Sequence, residues 1–205
     1  MAQNTKPNPR PTRQAVPRDR TKLRKLVVIG MLSGICMVLG LTGYGFIPLP
    51  TTKATIMHLP VIIGAILEGP IVGMAIGLIF GLFSIFQNLS APTLLSFAFI
   101  NPLVSVLPRI LIALTAYATY RVIAKKSETL GVGMGALVGS LTNTIGVLGM
   151  MYFLYAAEYA AAKSLDPDVV LSVIIGIATM NGIPEAIVSV LLIVPLVAAV
   201  RRMKK

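Results

Sequence analysis

Apolar runs recur along this chain at lengths near the ~20 residues that cross a hydrocarbon core of about 30 Å. They cover residues 26–43, 55–67, 71–87, 102–123, 131–155 and 171–200, leaving one polar tail and short connections. Of 205 residues, 56 % are hydrophobic and only 12 % charged, against about 25 % charged in soluble domains. A soluble globule is thereby excluded, and no length remains for a soluble catalytic domain. The expected architecture is an all-α integral membrane protein, a six-transmembrane-helix bundle, with a tail over residues 1–25 and a membrane domain over residues 26–205. The second run is short and carries His58 and Pro60, while Glu68-Gly69-Pro70 marks a tight turn before the third.

Charge orients the bundle. The formal net charge is +11, with eight basic residues in the first 25 positions and Arg201, Arg202, Lys204 and Lys205 at the other end. Arg121, Lys125 and Lys126 add to the same side, whereas the opposite connections hold Lys53, Glu158, Lys163, Asp166 and Asp168. The positive-inside rule then places both termini in the cytoplasm of a multi-pass cell-membrane protein. Pro7, Pro9, Pro11 and Pro17 break a tail too polar to fold alone, which reads as disordered and in reach of anionic headgroups of the lipid bilayer. No aromatic or glycine-rich pattern accompanies the basic charge, so nucleic acid is not the expected partner. The outward connections 44–54, 88–101 and 156–170 are long, as lids over a site would be.

Small residues repeat every fourth position at Gly30 and Gly34, at Gly73, Gly77 and Gly81, and at Gly135 and Gly139. Such a stripe lets a second backbone approach closely. In the third and fifth runs it predicts packing within the bundle; in the first, beside the tail, it offers a face to a partner subunit. Cys36, the single cysteine, predicts a small core residue.

Charged groups at membrane depth cost about 2.5–3.5 kcal/mol on insertion scales, so each is a functional candidate. At 1.5 Å per residue, Arg109, Asn143 and Glu185 stand about 20, 18 and 22 Å from the cytoplasmic ends of their runs. Three polar groups on three helices thus meet at one level, and Gln87 and Lys53 reach a similar height. Arg109 and Glu185 either pair with each other or face a cavity where the guanidinium grips an anionic or polar substrate. Asn181-Gly182-Ile183-Pro184 is expected to break the sixth run, as interrupted transporter helices do beside a ligand. His58 is either hydrogen-bonded structure or part of the site. Phosphate-binding glycine loops, metal-ligand spacings and nucleophile elbows are missing from the sequence, so neither enzyme chemistry, a cofactor nor a metal is expected.

Several stretches carry a family resemblance: Ile47-Pro48-Leu49-Pro50, "ATIMHLPVIIGAILEGPIVGMAIGLIFGLFS" from Ala54, "LPRILIAL" from Leu107, "GALVGSLTNT" from Gly135 and "NGIPEAIVSVLLIVP" from Asn181. Over nearly all of residues 26–200 the chain resembles a substrate-binding S component of an energy-coupling-factor (ECF) vitamin transporter. The resemblance implies a six-helix bundle and a vitamin site near the outer face, closed by the first and third connections. It also implies a transmembrane coupling subunit and two ATP-binding subunits as partners. The family usually docks its coupling subunit on an Ala-x-x-x-Ala stripe of the first helix, which Gly30 and Gly34 match in size rather than identity.

Within that family the segment "TIMHLPVIIGAI" looks most like members assigned to pantothenate. Its carboxylate suits Arg109 or Lys53, and its hydroxyls and amide suit Asn143, Asn181 and Gln87; Glu185 and His58 complete the candidate set. Two other readings fit the residues alone: a self-contained proton-coupled transporter relaying through His58 and Glu185, and a structural membrane subunit.

Overall fold

The computed structural model of the chain describes residues 18–48 and 53–203. Most of the polar tail, Lys204 and Lys205 lie outside the described residues. Helix α1 (Arg18–Thr42) leads into a hairpin of β1 (Phe46–Pro48) and β2 (Lys53–Thr55), followed by α2 (Leu59–Glu68) and α3 (Pro70–Ser90). Two short helices, α4 (Ser96–Phe99) and α5 (Pro102–Ser105), precede α6 (Leu107–Ile123) and the long pair α7 (Glu128–Lys163) and α8 (Val170–Met203).

Among the described residues, five segments are helical, apolar and long enough to cross a membrane: 20–42, 70–90, 102–123, 128–163 and 167–203. Helix α2 is different. Its ten residues rise about 15 Å, and Leu59, Val61, Ile62, Ala65 and Ile66 are all buried. A helix apolar on every side belongs in the interior, and α1, α3, α6, α7 and α8 all pack around it. The second run therefore begins later than expected, at Leu59 rather than residue 55. Pro60 suits a first turn, where its missing N–H is not needed, and Thr55 is used as strand.

Glycines set the closest helix contacts. A Cβ at Gly73 would lie 2.9 Å from that of Ala113, one at Gly81 would lie 2.7 Å from the Ser105 carbonyl oxygen, and one at Gly77 would overlap the Arg109 carbonyl. The stripe on α3 thus seats α6 at Gly73 and Gly77 and the end of α5 at Gly81, packing within the bundle as the spacing predicts. On α7, Gly135 faces the Ala116 carbonyl and Gly139 faces Ile62. Gly69, at φ +99°, turns the chain between α2 and α3 in a conformation that L side chains rarely adopt.

Two cores result. The larger joins Ile62, Ile76, Ile112, Ala116 and Ile193 from α2, α3, α6 and α8. The smaller joins Ala98, Met151, Tyr159, Val170 and Ile174, where α4 packs under the far ends of α7 and α8. That second core corrects the reading of residues 156–170 as a loop. Helix α7 kinks at Tyr155 (φ −141°, ψ 27°), continues to Lys163 and ends on a left-handed Ser164. The Ala-rich stretch after the kink has high helix propensity, and burial of Tyr159 and Ala160 stabilises it. The sixth run is not broken either: α8 continues through both Pro184 and Pro195.

At one end of the bundle, Arg24 pairs with Glu68 at 2.5 Å. At that end too, Arg201 pairs with Glu128 and donates to the Tyr120 hydroxyl at 2.9 Å. These contacts gather the start of α1, the α2–α3 turn, the α6–α7 turn and the end of α8. The hairpin lies toward the other end.

Candidate functional site

A cavity of about 530 Å³ lies under the hairpin, within the size range of small-molecule sites. Its walls come from Phe46, Thr55 and Met57 in and after the hairpin, Phe80, Ser84 and Gln87 on α3, and Arg109 on α6. Asn143, Thr144 and Val147 on α7 and Ile177, Asn181 and Glu185 on α8 complete most of the lining. Counted along the chain, the first connection contributes Phe46, and the third, residues 88–101, contributes Asn88, Ala91, Thr93 and Phe99. The wall is mainly apolar, with one cation, one anion and a few amides and hydroxyls, the usual makeup of a ligand pocket.

Arg109 is held near the start of α6, after Pro108. The guanidinium lies 5.3 Å from the Phe80 ring centre, and Nη1 donates to the Val104 carbonyl oxygen at 2.9 Å. Among the described residues its Nε has no partner, although the residue is only 7 % exposed. A buried donor left unsatisfied costs about 1–3 kcal/mol, so a ligand acceptor here would be favoured.

Glu185, equally buried, is satisfied. One carboxylate oxygen accepts from the Thr55 backbone N–H at 2.7 Å and the other from the Thr144 hydroxyl at 2.9 Å. Among the described residues it makes no direct ion pair with Arg109. The two opposite charges face one cavity, each held by other groups, so the guanidinium is not neutralised by contact.

Asn143 and Asn181 lie on α7 and α8, and among the described residues both carry a buried side-chain oxygen without a partner. Gln87 is engaged, its Nε2 donating to the Gly40 carbonyl at 3.1 Å and tying α3 to α1. Five of the sequence candidates therefore share one cavity: Arg109, Asn143, Glu185, Asn181 and Gln87. The Lys53 side chain lies outside the described part of the structure.

His58 stands apart from them. It is fully buried at the head of α2, its Nε2 3.1 Å from both the Ser140 and Ser189 hydroxyls, and it does not line the cavity. Among the described residues, no atom beyond the adjoining turns of α1 lies within 4 Å of where the Cβ atoms of Gly30 and Gly34 would be. Met31, Ile35 and Val38 on the same helix are also exposed.

Sequence reasoning missed Phe80, Thr55 and Thr144. Thr144 sits beside Asn143 and could have been found from its position one turn above Ser140. Phe80 carries no signal, since an aromatic in an apolar run reads as core.

The family described as "ECF transporter, substrate-specific component" matches residues 24–197. The chain is 29 % identical over 170 aligned residues to a pantothenic acid transporter, PanT, of Lactococcus lactis subsp. cremoris, covering 76 % of this chain and 81 % of the relative. It is 28 % identical over 185 residues to a pantothenate transporter of the same name from Leuconostoc mesenteroides subsp. mesenteroides, covering 85 % and 91 %. With 24–197 matched end to end, the chain belongs to the family of substrate-specific components of ECF transporters.

Proposed function

We propose that this chain captures pantothenate for an ATP-driven importer. The observation that carries the reading is that Arg109, Asn143 and Asn181 line one cavity and each keeps a buried polar atom without a partner among the described residues. A ligand suited to that wall has an anionic end and hydrogen-bond donors elsewhere. Pantothenate has a carboxylate for Arg109, hydroxyls and an amide for Asn143 and Asn181, and apolar carbon for Phe46, Phe80 and Val147. Similarity to two proteins named pantothenate transporters supports the choice. Gln87 and Glu185 shape the same wall through their bonds to Gly40 and Thr55.

The bundle has six membrane segments, α2 being the short buried one, with both termini cytoplasmic and the cavity toward the outside. Basic side chains at the Arg24, Arg121 and Arg201 end support that orientation. Substrate enters from outside. A transmembrane coupling subunit docks on α1 at Gly30 and Gly34, and two ATP-binding subunits drive relocation of the cavity toward the cytoplasm.

The chain has no tryptophan, so native mass spectrometry after incubation with an equimolar vitamin panel is the direct test. One retained adduct at the mass of pantothenate, lost in Arg109→Ala, supports the reading. Retention of another vitamin keeps the capture role and discards the ligand. Accumulation of substrate by the chain alone in liposomes under a pH gradient would overturn the ATP-driven mechanism.

A further inference from the structure

A two-stranded ribbon leaves half of its backbone N–H groups pointing away from the ladder. In this hairpin Thr55 faces Phe46, and the neighbouring ladder bond runs from Ile56 N–H to the Gly45 carbonyl. The Thr55 N–H therefore points off the free edge of β2, where Glu185 accepts it at 2.7 Å. The second oxygen of the same carboxylate accepts from Thr144 on α7. One buried side chain on α8 thus joins a strand to two helices, on the wall of the cavity those elements line.

We infer that Glu185 is a latch that holds strand β2 over the cavity, rather than a ligand contact. Both of its oxygens are occupied in the structure, whereas Arg109 and Asn143 on the same wall keep unpartnered atoms. The residue before the first strand has its own anchor on α1, Gly45 N–H to the Leu39 carbonyl at 2.9 Å. Among the described residues, the bond from β2 itself to a helix is the one to Glu185. The left-handed turn at Gly43, φ +77°, sits between α1 and the hairpin and supplies a hinge when the latch is broken. Charge on Glu185 is secondary in this role. What matters is an acceptor for Thr55 and a partner for Thr144, and a glutamine can supply both.

The inference rests on the capture reading only for what the cavity holds, and its first readout needs no ligand. The full chain in lipid nanodiscs carries Cys36→Ala and Val147→Cys, which puts the only thiol on the cavity wall, and a water-soluble maleimide measures access. Glu185→Ala in that background is expected to label at least ten times faster than its parent, and Glu185→Gln within twofold of it. Because a lone buried donor can weaken folding, Thr144→Val and Thr144→Ser repeat the comparison, with faster labelling expected in the valine variant only. Unchanged labelling in Glu185→Ala and Thr144→Val overturns the latch, and so does equal acceleration in Glu185→Gln, which would make charge the cause. Dissociation of radiolabelled pantothenate, measured for the same Glu185 and Thr144 substitutions in the chain that keeps Val147 and Cys36, should follow the same order. If labelling follows it but no pantothenate binds, the latch stands and the ligand assignment falls; bound pantothenate with unchanged labelling removes the latch alone.

Discussion

Arg109 lies over Phe80, its guanidinium carbon 5.3 Å from the ring centre. The ring belongs to α3 and the cation to α6, and the two helices meet there because Gly77 admits the Arg109 backbone. The placing of this side chain is thus set by Gly77 and Phe80 on α3 and by Val104 on α5. The planar guanidinium is fixed by the ring on one face and by the Val104 carbonyl at Nη1, so the unpartnered Nε is presented in a single direction.

Replacing Arg109 should therefore affect affinity more than charge alone would. A hydrogen bond to a charged group contributes about 1.5–3 kcal/mol, so Arg109→Ala should weaken pantothenate binding by about 10- to 100-fold. Arg109→Lys should recover only part of it, since an ammonium neither spreads over Phe80 nor holds the fork geometry. Titration by native mass spectrometry or radioligand binding checks both. Equal affinity in the lysine variant would show that only the charge matters.

Gly77→Ala tests the close approach of α3 and α6. The added Cβ would overlap the Arg109 carbonyl, with the carbonyl carbon 2.8 Å away. Backbone does not yield as a side-chain tip does, so the helices must separate, at about 1–3 kcal/mol by analogy with overpacked cores. Gly133→Ala is the control, because its nearest neighbours are Val194 and Val190 methyls at 3.7 and 3.8 Å. Thermal unfolding in detergent should show a lower midpoint for Gly77→Ala and none of that loss for Gly133→Ala. The first variant should also bind ligand more weakly, because Arg109 moves with its backbone.

Much of this arrangement is legible in the sequence. Spans follow from apolar run length, and the level shared by Arg109, Asn143 and Glu185 follows from counting helix rise, which is regular enough to carry over twenty residues. The glycine stripe on α3 is legible for the same reason. What fails is whatever depends on tertiary partners. Residues 156–163 read as loop because Glu158 and Lys163 interrupt the apolar pattern, yet packing of Tyr159 and Ala160 against α4 and α8 keeps them helical. Pro184 reads as a break, yet α8 tolerates it. The bond between Glu185 and Thr55 spans 130 positions and has no local signature.

His58 is expected to matter for stability and not for ligand. Its Nε2 is shared by Ser140 and Ser189, joining the head of α2 to α7 and α8 away from the cavity wall. His58→Ala removes the partner of two buried hydroxyls and leaves a void, so the unfolding midpoint should fall by the equivalent of about 3 kcal/mol. Pantothenate affinity of the folded fraction should stay within about threefold of the parent, which is under 1 kcal/mol. A larger loss of binding with little loss of stability would bring His58 into the site.

The face of α1 around Gly30 and Gly34 gives the opposite pattern. Among the described residues neither glycine has an atom of another element within 4 Å of its virtual Cβ, so added bulk has room there. Gly34→Leu should not lower the unfolding midpoint of the solitary protein, since glycine removal itself favours the helix by up to about 1 kcal/mol, and should leave its pantothenate affinity unchanged. Docking a second helix against a four-residue small stripe depends on close backbone approach, which a leucine prevents. Co-purification with the coupling and ATP-binding subunits should therefore be lost, and ATP-driven uptake with it, while Gly34→Ala retains both. Loss of binding in the solitary variant would place this face inside the capture function; full uptake with leucine at position 34 would mean that the coupling subunit docks elsewhere.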